Sequence, residues 1–482
     1  MRVYSFFANS GFQALGISFI IVIFDLIGKL RVLVYKLLYN PQNKMNTSGI
    51  KEKLVAPGNL IPFVLITSLF FLWGLANNMT DTLLAAFKRI MSMTDARTSL
   101  IQISCYGLGY FIFALPAAIY IKRFSYKSGV LLGLGLYVLG CLMFYPAKLT
   151  GNYFHFLGAL WILFGGLSIL ETASNPYIIA MGAEHTATRR LNLAQSFNPL
   201  GSIMGVVISQ IFILSELNKA SASERAAMAT SELHRIQGGE LNAVTMTYVS
   251  IGLLLLILWV VIFIAKMPKA SDAGSKVDLG PTLSRLVRNK NYVTGVIAQF
   301  FYVGAQIGVW SFTIRYTMSS LNLDHIQLPV GKTPEQIAAG YYVASLILFA
   351  SSRFIFTYLM KFFRPSSLLI FSAAMAIIST LVVIFGSGIT GVISLVIISG
   401  FMSLMFPTIF GQAVIGLGDD TKIGGSGLIM AILGGAVVTF LQGRVSDMTG
   451  SINYSYIIPL ICFVVIAYYA MASRKMEKKI KG

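Results

Sequence analysis

Two carboxylates set in apolar surroundings, Asp81 and Glu171, are the side chains of this sequence best placed to do chemistry. Glu171 belongs to Leu170-Glu171-Thr172-Ala173-Ser174-Asn175-Pro176-Tyr177, midway along an apolar run from Tyr153 to Ala183 that lies between Lys148 and Glu184. At roughly 1.5 Å per residue such a run crosses a bilayer with tilt to spare. A carboxylate in hydrocarbon is costly and, unpaired, sooner takes up a proton than stays charged, so an intramembrane acid marks a functional site. Pro176 removes a backbone donor beside it and loosens the helix. Asp81 follows Asn77 by four residues and Asn78 by three, which puts all three on one helical face.

Other polar residues fall at helical spacing around these two. Asn175 is four residues beyond Glu171, with Ser168 and Thr172 beside it. Arg190, Asn192, Gln195, Asn198 and Ser202 form a polar stripe, and Tyr302, Gln306 and Trp310 follow one another at steps of four. Lipid does not tolerate such stripes, so they face other helices or water. Amides and a carboxylate hydrogen-bond a polyhydroxylated ring, and aromatics such as Tyr302, Trp310 and Phe406 cover its apolar face, a combination that suits a neutral sugar. Single amides in spanning helices also serve as interhelical glue, the reading that Asn192, Asn198 and Gln306 each carry on their own. Arg315 lies off-centre toward the same end as Asp81, and Arg353 reads as an anchor between helices or part of a closed gate. Arg444 and Asp447 read as a structural pair.

The elements that must position these residues are spanning helices. With 482 residues, 56% hydrophobic, 11% charged and a mean hydropathy of +0.75, the chain carries less than half the charge of a soluble domain. Apolar runs recur along its whole length, too long for barrel strands, so the expected class is an all-α polytopic membrane protein. Twelve spans are expected, at approximately 60–86, 98–121, 127–147, 153–183, 189–216, 244–265, 291–318, 339–360, 367–386, 391–416, 424–444 and 454–472. The net charge of +19 is a topology signal and not a nucleic-acid footprint: 25 Lys and Arg fall on the side of residue 45 and eight on the other. By the positive-inside rule both ends of the helical core are cytoplasmic, in an inner membrane. The three cysteines lie in apolar runs and the four histidines lack ligand spacing, so no metal and no cofactor are expected.

The basic segment 267–290 divides the spans six and six. Phe70-Phe71-Leu72-Trp73-Gly74 in the first span is echoed by Phe300-Phe301-Tyr302-Val303-Gly304 in the seventh, and Leu200-Gly201 in the fifth by Leu433-Gly434 in the eleventh. Two six-helix bundles, 60–266 and 291–472, around a central cavity are the architecture of secondary transporters. Residues 473–482 form a basic tail. Residues 1–59 stand outside the bundles, and three readings compete for the first 44: a further span, an interfacial helix, or a segment upstream of a working start at Met45. The third is favoured, because the twelve-span core is complete without them. Ser223 to Gln237, in the longest outer loop, is helix-compatible and reads as a surface cap.

Phe70–Asp81, Leu170–Pro176 and Arg190–Asn198 resemble the first, fourth and fifth helices of the bacterial L-fucose:proton symporters, within the fucose, galactose and glucose branch of the major facilitator superfamily. Tyr302–Gln306 and Phe406–Phe410 extend the resemblance into the second half, so that it covers about residues 57 to 475. Asn-Asn-x-x-Asp with Leu-Glu-Thr-Ala points to the fucose branch. The resemblance implies proton-coupled uptake by a monomer that is no enzyme. It makes Asp81 the proton-coupling carboxylate and Glu171 the link between proton and sugar, with Asn78 and Gln195 as sugar ligands. Asn77, Asn175, Gln306, Tyr302 and Trp310 complete the expected site. Phe406 departs from the pattern, which has a tyrosine there; a hydroxyl contact is lost and the sugar preference stays open. A glucose or galactose symporter, a multidrug exporter and a sugar sensor remain as alternatives.

Overall fold

A computed structural model of the chain describes residues 54–91, 93, 109–218, 220, 222–268, 278–323 and 334–481. The expectations for residues 1–44 and Met45 lie outside these residues. The first bundle comprises α1 (Leu60–Ile90), α2 (Tyr110–Arg123), α3 (Tyr126–Leu142), α4 (Tyr153–Ala180), α5 (Ala187–Gln195), α6 (Asn198–Phe212) and α7 (Thr230–Ile264). An amphipathic helix, α8 (Leu279–Arg288), precedes the second bundle. That bundle comprises α9 (Lys290–Ser320), α10 (Pro334–Leu359), α11 (Pro365–Phe385), α12 (Gly388–Met402), α13 (Met405–Ala413), α14 (Thr421–Met430), α15 (Gly434–Thr449) and α16 (Ile457–Lys481). Eleven helical segments among the described residues are long and apolar enough to span a membrane. The second expected span is described only as α2.

The main departure from the expected spans is that several are broken: the third parts at Met143, and the breaks that bear on the site lie in the fifth, tenth and eleventh. The fifth is α5 and α6, parted at Ser196 and Phe197; the tenth is α12 and α13, parted at Ser403 and Leu404; the eleventh is α14 and α15, joined by a 3₁₀ turn over Ala431–Leu433. Irregular backbone at membrane depth is tolerated where it is buried in protein or lines a cavity. Apolar runs do not reveal such breaks, because the side chains stay hydrophobic across them. The expected outer cap is also divided: Ala222–Ala227 is a short helix, and the rest of the run continues unbroken into α7. A buried ion pair between Arg225 and Glu240 ties the two. The expected Arg444–Asp447 pair does not form; both residues are exposed, and one turn of helix between two solvated charges gains too little to fix them.

The two halves repeat a close helix crossing. A Cβ at Gly201 would stand 1.8 Å from the Phe71 carbonyl oxygen, and one at Gly74 2.0 Å from that of Asn198, so α1 and α6 meet backbone to backbone. In the second half a Cβ at Gly434 would stand 2.0 Å from the Phe300 carbonyl oxygen. The echoed sequence pairs thus mark the same crossing in each bundle, where small residues let backbones approach. Gly201→Ala cannot be housed without parting α1 from α6, and overpacking of this kind costs about 1–3 kcal/mol. Gly158→Ala, where nothing lies within 4 Å, is the matched control. Thermal unfolding of the purified proteins should show a marked loss for the first and little change for the second.

The bundles pack on each other at one end. There α2 and α4 meet α14, α5 meets α13, and α10 meets α5 and α6. Asn192 Nδ2 donates to Thr408 Oγ1 at 3.1 Å, Gly416 N donates to the Glu184 carboxylate at 3.3 Å, and Lys422 lies over the Tyr126 ring. Pro176 and Thr188 press on Gly425 and Gly411. This closed end carries loops 122–127 and 184–190, with an excess of Lys and Arg, and loop 418–422, where Asp419 and Asp420 face one lysine, Lys422. Arg285 of α8 adds a two-pronged bond to Asp420 at 2.7 and 2.8 Å.

Candidate functional site: a buried carboxylate between the bundles

Glu171 sits in the second half of α4, 1% exposed, and neither carboxylate oxygen has a hydrogen-bond partner among the described residues. Leaving a buried polar group unpaired costs about 1–3 kcal/mol, and more for a charge, so this side chain is retained at the expense of stability. Its surroundings are set by α1 and α2. Trp73 Nε1 donates to the Tyr110 hydroxyl at 2.8 Å, and the Asn77 amide reaches the same hydroxyl. Ser168 Oγ donates to the Tyr110 carbonyl at 3.2 Å, one turn before Glu171, and Tyr110 lies within electrostatic range of that carboxylate. Asn78 Nδ2 donates to the Gly74 carbonyl at 3.3 Å. Trp73, Asn77 and Asn78 are half-buried. Asp81 continues α1 one turn beyond Asn77; its side chain lies outside the described residues.

A second set of polar groups joins α4, α5 and the other bundle. Asn175 Nδ2 donates to the backbone carbonyl of Glu171 at 3.1 Å, and Gln195 Nε2 donates to Asn175 Oδ1 at 2.7 Å. Gln195 ends α5, so its own carbonyl has no partner within the helix. Arg353 of α10 supplies one: its Nη1 donates to that oxygen at 3.0 Å, and its Nε donates to the Ser403 carbonyl freed by the break after α12. One guanidinium thus holds both interrupted helices, one from each bundle. Arg353 is buried, lies over the Phe349 ring at 4.5 Å, and hydrogen-bonds Tyr302.

Not every expected residue faces open space. Tyr302 is fully buried, its hydroxyl donates to the Met402 carbonyl at 3.1 Å, and its ring packs edge-on against Phe406. It supports the wall and does not present a face, because the break after α12 leaves that carbonyl in need of a donor. Trp310 is half-buried, with Nε1 donating to Ser399 Oγ at 3.1 Å and its ring against Phe349. Gln306, also half-buried, makes no hydrogen bond among the described residues.

The expected stripe on the fifth span divides. Arg190 is fully buried and caps the end of α4, donating to the carbonyls of Ile178, Ile179 and Gly182 as well as Leu54. Asn192 bridges the bundles, and Gln195 alone meets Asn175. Arg315 is exposed and lies over Phe312 at 4.2 Å. Trp73, Tyr110 and Phe349 were missed as members of the cluster. For Trp73 the signal was present, since it stands four residues before Asn77; Tyr110 and Phe349 look like any aromatic in an apolar run.

A model of the Major Facilitator Superfamily matches residues 64–417. An L-fucose-proton symporter of Haemophilus influenzae is 41% identical over 446 residues, 90% of this chain and 100% of that protein. An L-fucose-proton symporter of Escherichia coli is 40% identical over 85% of this chain and 92% of its own length. A glucose/galactose transporter of Brucella abortus is 32% identical over 85% of this chain and 93% of its own. The crystal structure of a major facilitator transporter, FucP, in the outward conformation superposes with a TM-score of 0.79 at 39% identity, over 86% of this chain and 98% of that one.

Proposed function

The chain belongs to the Major Facilitator Superfamily, and from that premise we propose that it imports L-fucose together with a proton. The observation that carries the reading is Glu171, a carboxylate without a hydrogen-bond partner among the described residues, buried beside the Trp73–Tyr110–Asn77 cluster and joined through Asn175 to Gln195. A carboxylate without a fixed counter-charge can bind and release a proton, and amides and indoles around it can hold a sugar's hydroxyls and apolar face. Asp81 serves as the coupling site. Asn77, Asn78, Gln195 and Gln306 contact the sugar, Trp310 covers it, and Asn175 and Tyr302 hold the wall. Neutral carboxylates let the loaded cavity pass from the outward to the inward state. The closed basic end is then cytoplasmic, both ends of the helical core are inside, and the protein works as a monomer in the inner membrane. No covalent chemistry occurs and no cofactor is needed.

Uptake of labelled L-fucose into proteoliposomes under an inward proton gradient tests the reading, with galactose, glucose and arabinose as competitors. Strongest competition by galactose or glucose would move the protein to the branch of its 32%-identical relatives. Gln195→Ala should weaken sugar binding up to about tenfold, the worth of one neutral hydrogen bond, and leave proton translocation intact. Equilibrium binding of labelled sugar measures this, and an unchanged affinity would leave Gln195 as interhelical glue.

A further inference from the structure

At the closed end, away from the carboxylates, a groove runs between α5 and α10. Leu54, Arg189, Leu193, Phe354, Thr357, Tyr358 and Lys361 line it, and about 310 Å³ of empty space, open solvent included, lies between them. Among the described residues its walls carry two cations and no carboxylate. Arg189 Nε is buried without a hydrogen-bond partner among them, unlike its neighbour Arg190, whose guanidinium is fully engaged. Lys361, at the end of α10, has its ammonium 4.6 Å from the Tyr358 ring. Desolvation and the facing Arg189 charge draw its pKa below the ordinary lysine value. Two like charges with an unfilled donor in one groove are unfavourable alone and become favourable around an anion.

We propose that this groove holds a phosphate group between Arg189 and Lys361. Phosphate offers oxygens to both cations at once, and the exposed Tyr358 carries a hydroxyl on the same lining. A phospholipid headgroup is the favoured source. Ile355, Tyr358, Phe362 and Phe363 are exposed beside the groove, a mix of aromatic and aliphatic side chains that suits acyl chains and the headgroup boundary. Because Arg189 belongs to one bundle and Lys361 to the other, the site exists only while this end is shut. A bound phosphate therefore weights the closed conformation.

The test uses the full chain, purified and stripped of lipid, with thermal unfolding followed against short-chain phosphatidylglycerol, inorganic phosphate, and chloride at matched ionic strength. Phosphatidylglycerol should raise the unfolding temperature saturably, with a smaller response to inorganic phosphate. Arg189→Gln with Lys361→Gln should weaken the lipid's binding by about ten- to a hundredfold, and Arg189→Lys should keep most of it. If the double variant folds poorly, Lys361→Ala alone, at an open helix end, should still weaken binding. Equal saturation by inorganic phosphate upholds the site and assigns it a soluble anion. A response no greater than that to chloride, or variants that bind as tightly as the parent, overturns the proposal.

Discussion

Asp81→Asn is expected to exchange sugar across the membrane yet fail to accumulate it. The amide copies the protonated carboxyl in shape and charge, so a carrier that needs a neutral residue there to change conformation still does so. It can no longer release a proton, and the free energy of the proton gradient is lost to transport. One proton moving inward across 100 mV supplies roughly 2.3 kcal/mol, enough to sustain about a fiftyfold sugar gradient. That gradient should fall to unity, while counterflow of labelled against unlabelled L-fucose proceeds. Accumulation surviving in Asp81→Asn would place the coupling proton elsewhere.

The class and pairing of the helices were legible because they rest on bulk properties. Spanning runs announce themselves by length and apolarity, and the halves by an echoed motif whose glycines lie where two backbones must touch. Gly201 against Phe71 and Gly434 against Phe300 turn a weak sequence match into a shared steric requirement. The breaks at Ser196, Ser403 and Ala431 were not legible, since a break costs nothing in hydropathy. What permits two of them is a donor distant in sequence: Arg353 reaches the carbonyls of Gln195 and Ser403, 158 and 50 residues away. Periodicity carries no trace of such a contact.

The site was legible to the extent that intramembrane charge is expensive. Glu171 stood out for that reason, and Asn175 and Gln195, chosen on separate helices, do meet at 2.7 Å. Helical spacing was read too broadly along the fifth span. Arg190, Asn192 and Gln195 all lie on the unbroken α5, where positions 190 and 192 point to opposite faces, so they serve three different neighbours in place of one cavity. Tyr302 shows what helical spacing leaves out. An aromatic at the right spacing looks available to a ligand until a freed carbonyl, here that of Met402, takes its hydroxyl.

Glu171 offers the sharper separation of roles, because one substitution keeps its capacity for hydrogen bonding and another removes it. Within the described residues its carboxylate oxygens have no partner, so anything they bind during transport is exchangeable: a proton, a sugar hydroxyl, or both. Glu171→Gln retains a donor and an acceptor of the same length and cannot titrate. It should bind L-fucose with near-parental affinity, and the pH dependence of that binding should flatten. Glu171→Ala removes the group from a buried position and leaves a space lined by Tyr110 and its partners. If the carboxyl contacts the sugar, a lost hydrogen bond to a group of this kind is worth about 1.5–3 kcal/mol, a fall in affinity of roughly ten- to a hundredfold. Binding of labelled sugar from pH 5 to 8, with counterflow on the same preparations, distinguishes the outcomes. Parental affinity in Glu171→Ala would remove the sugar contact and leave Glu171 as a proton site alone. A Glu171→Gln variant whose binding still follows pH as the parent's does would remove it from the proton's path.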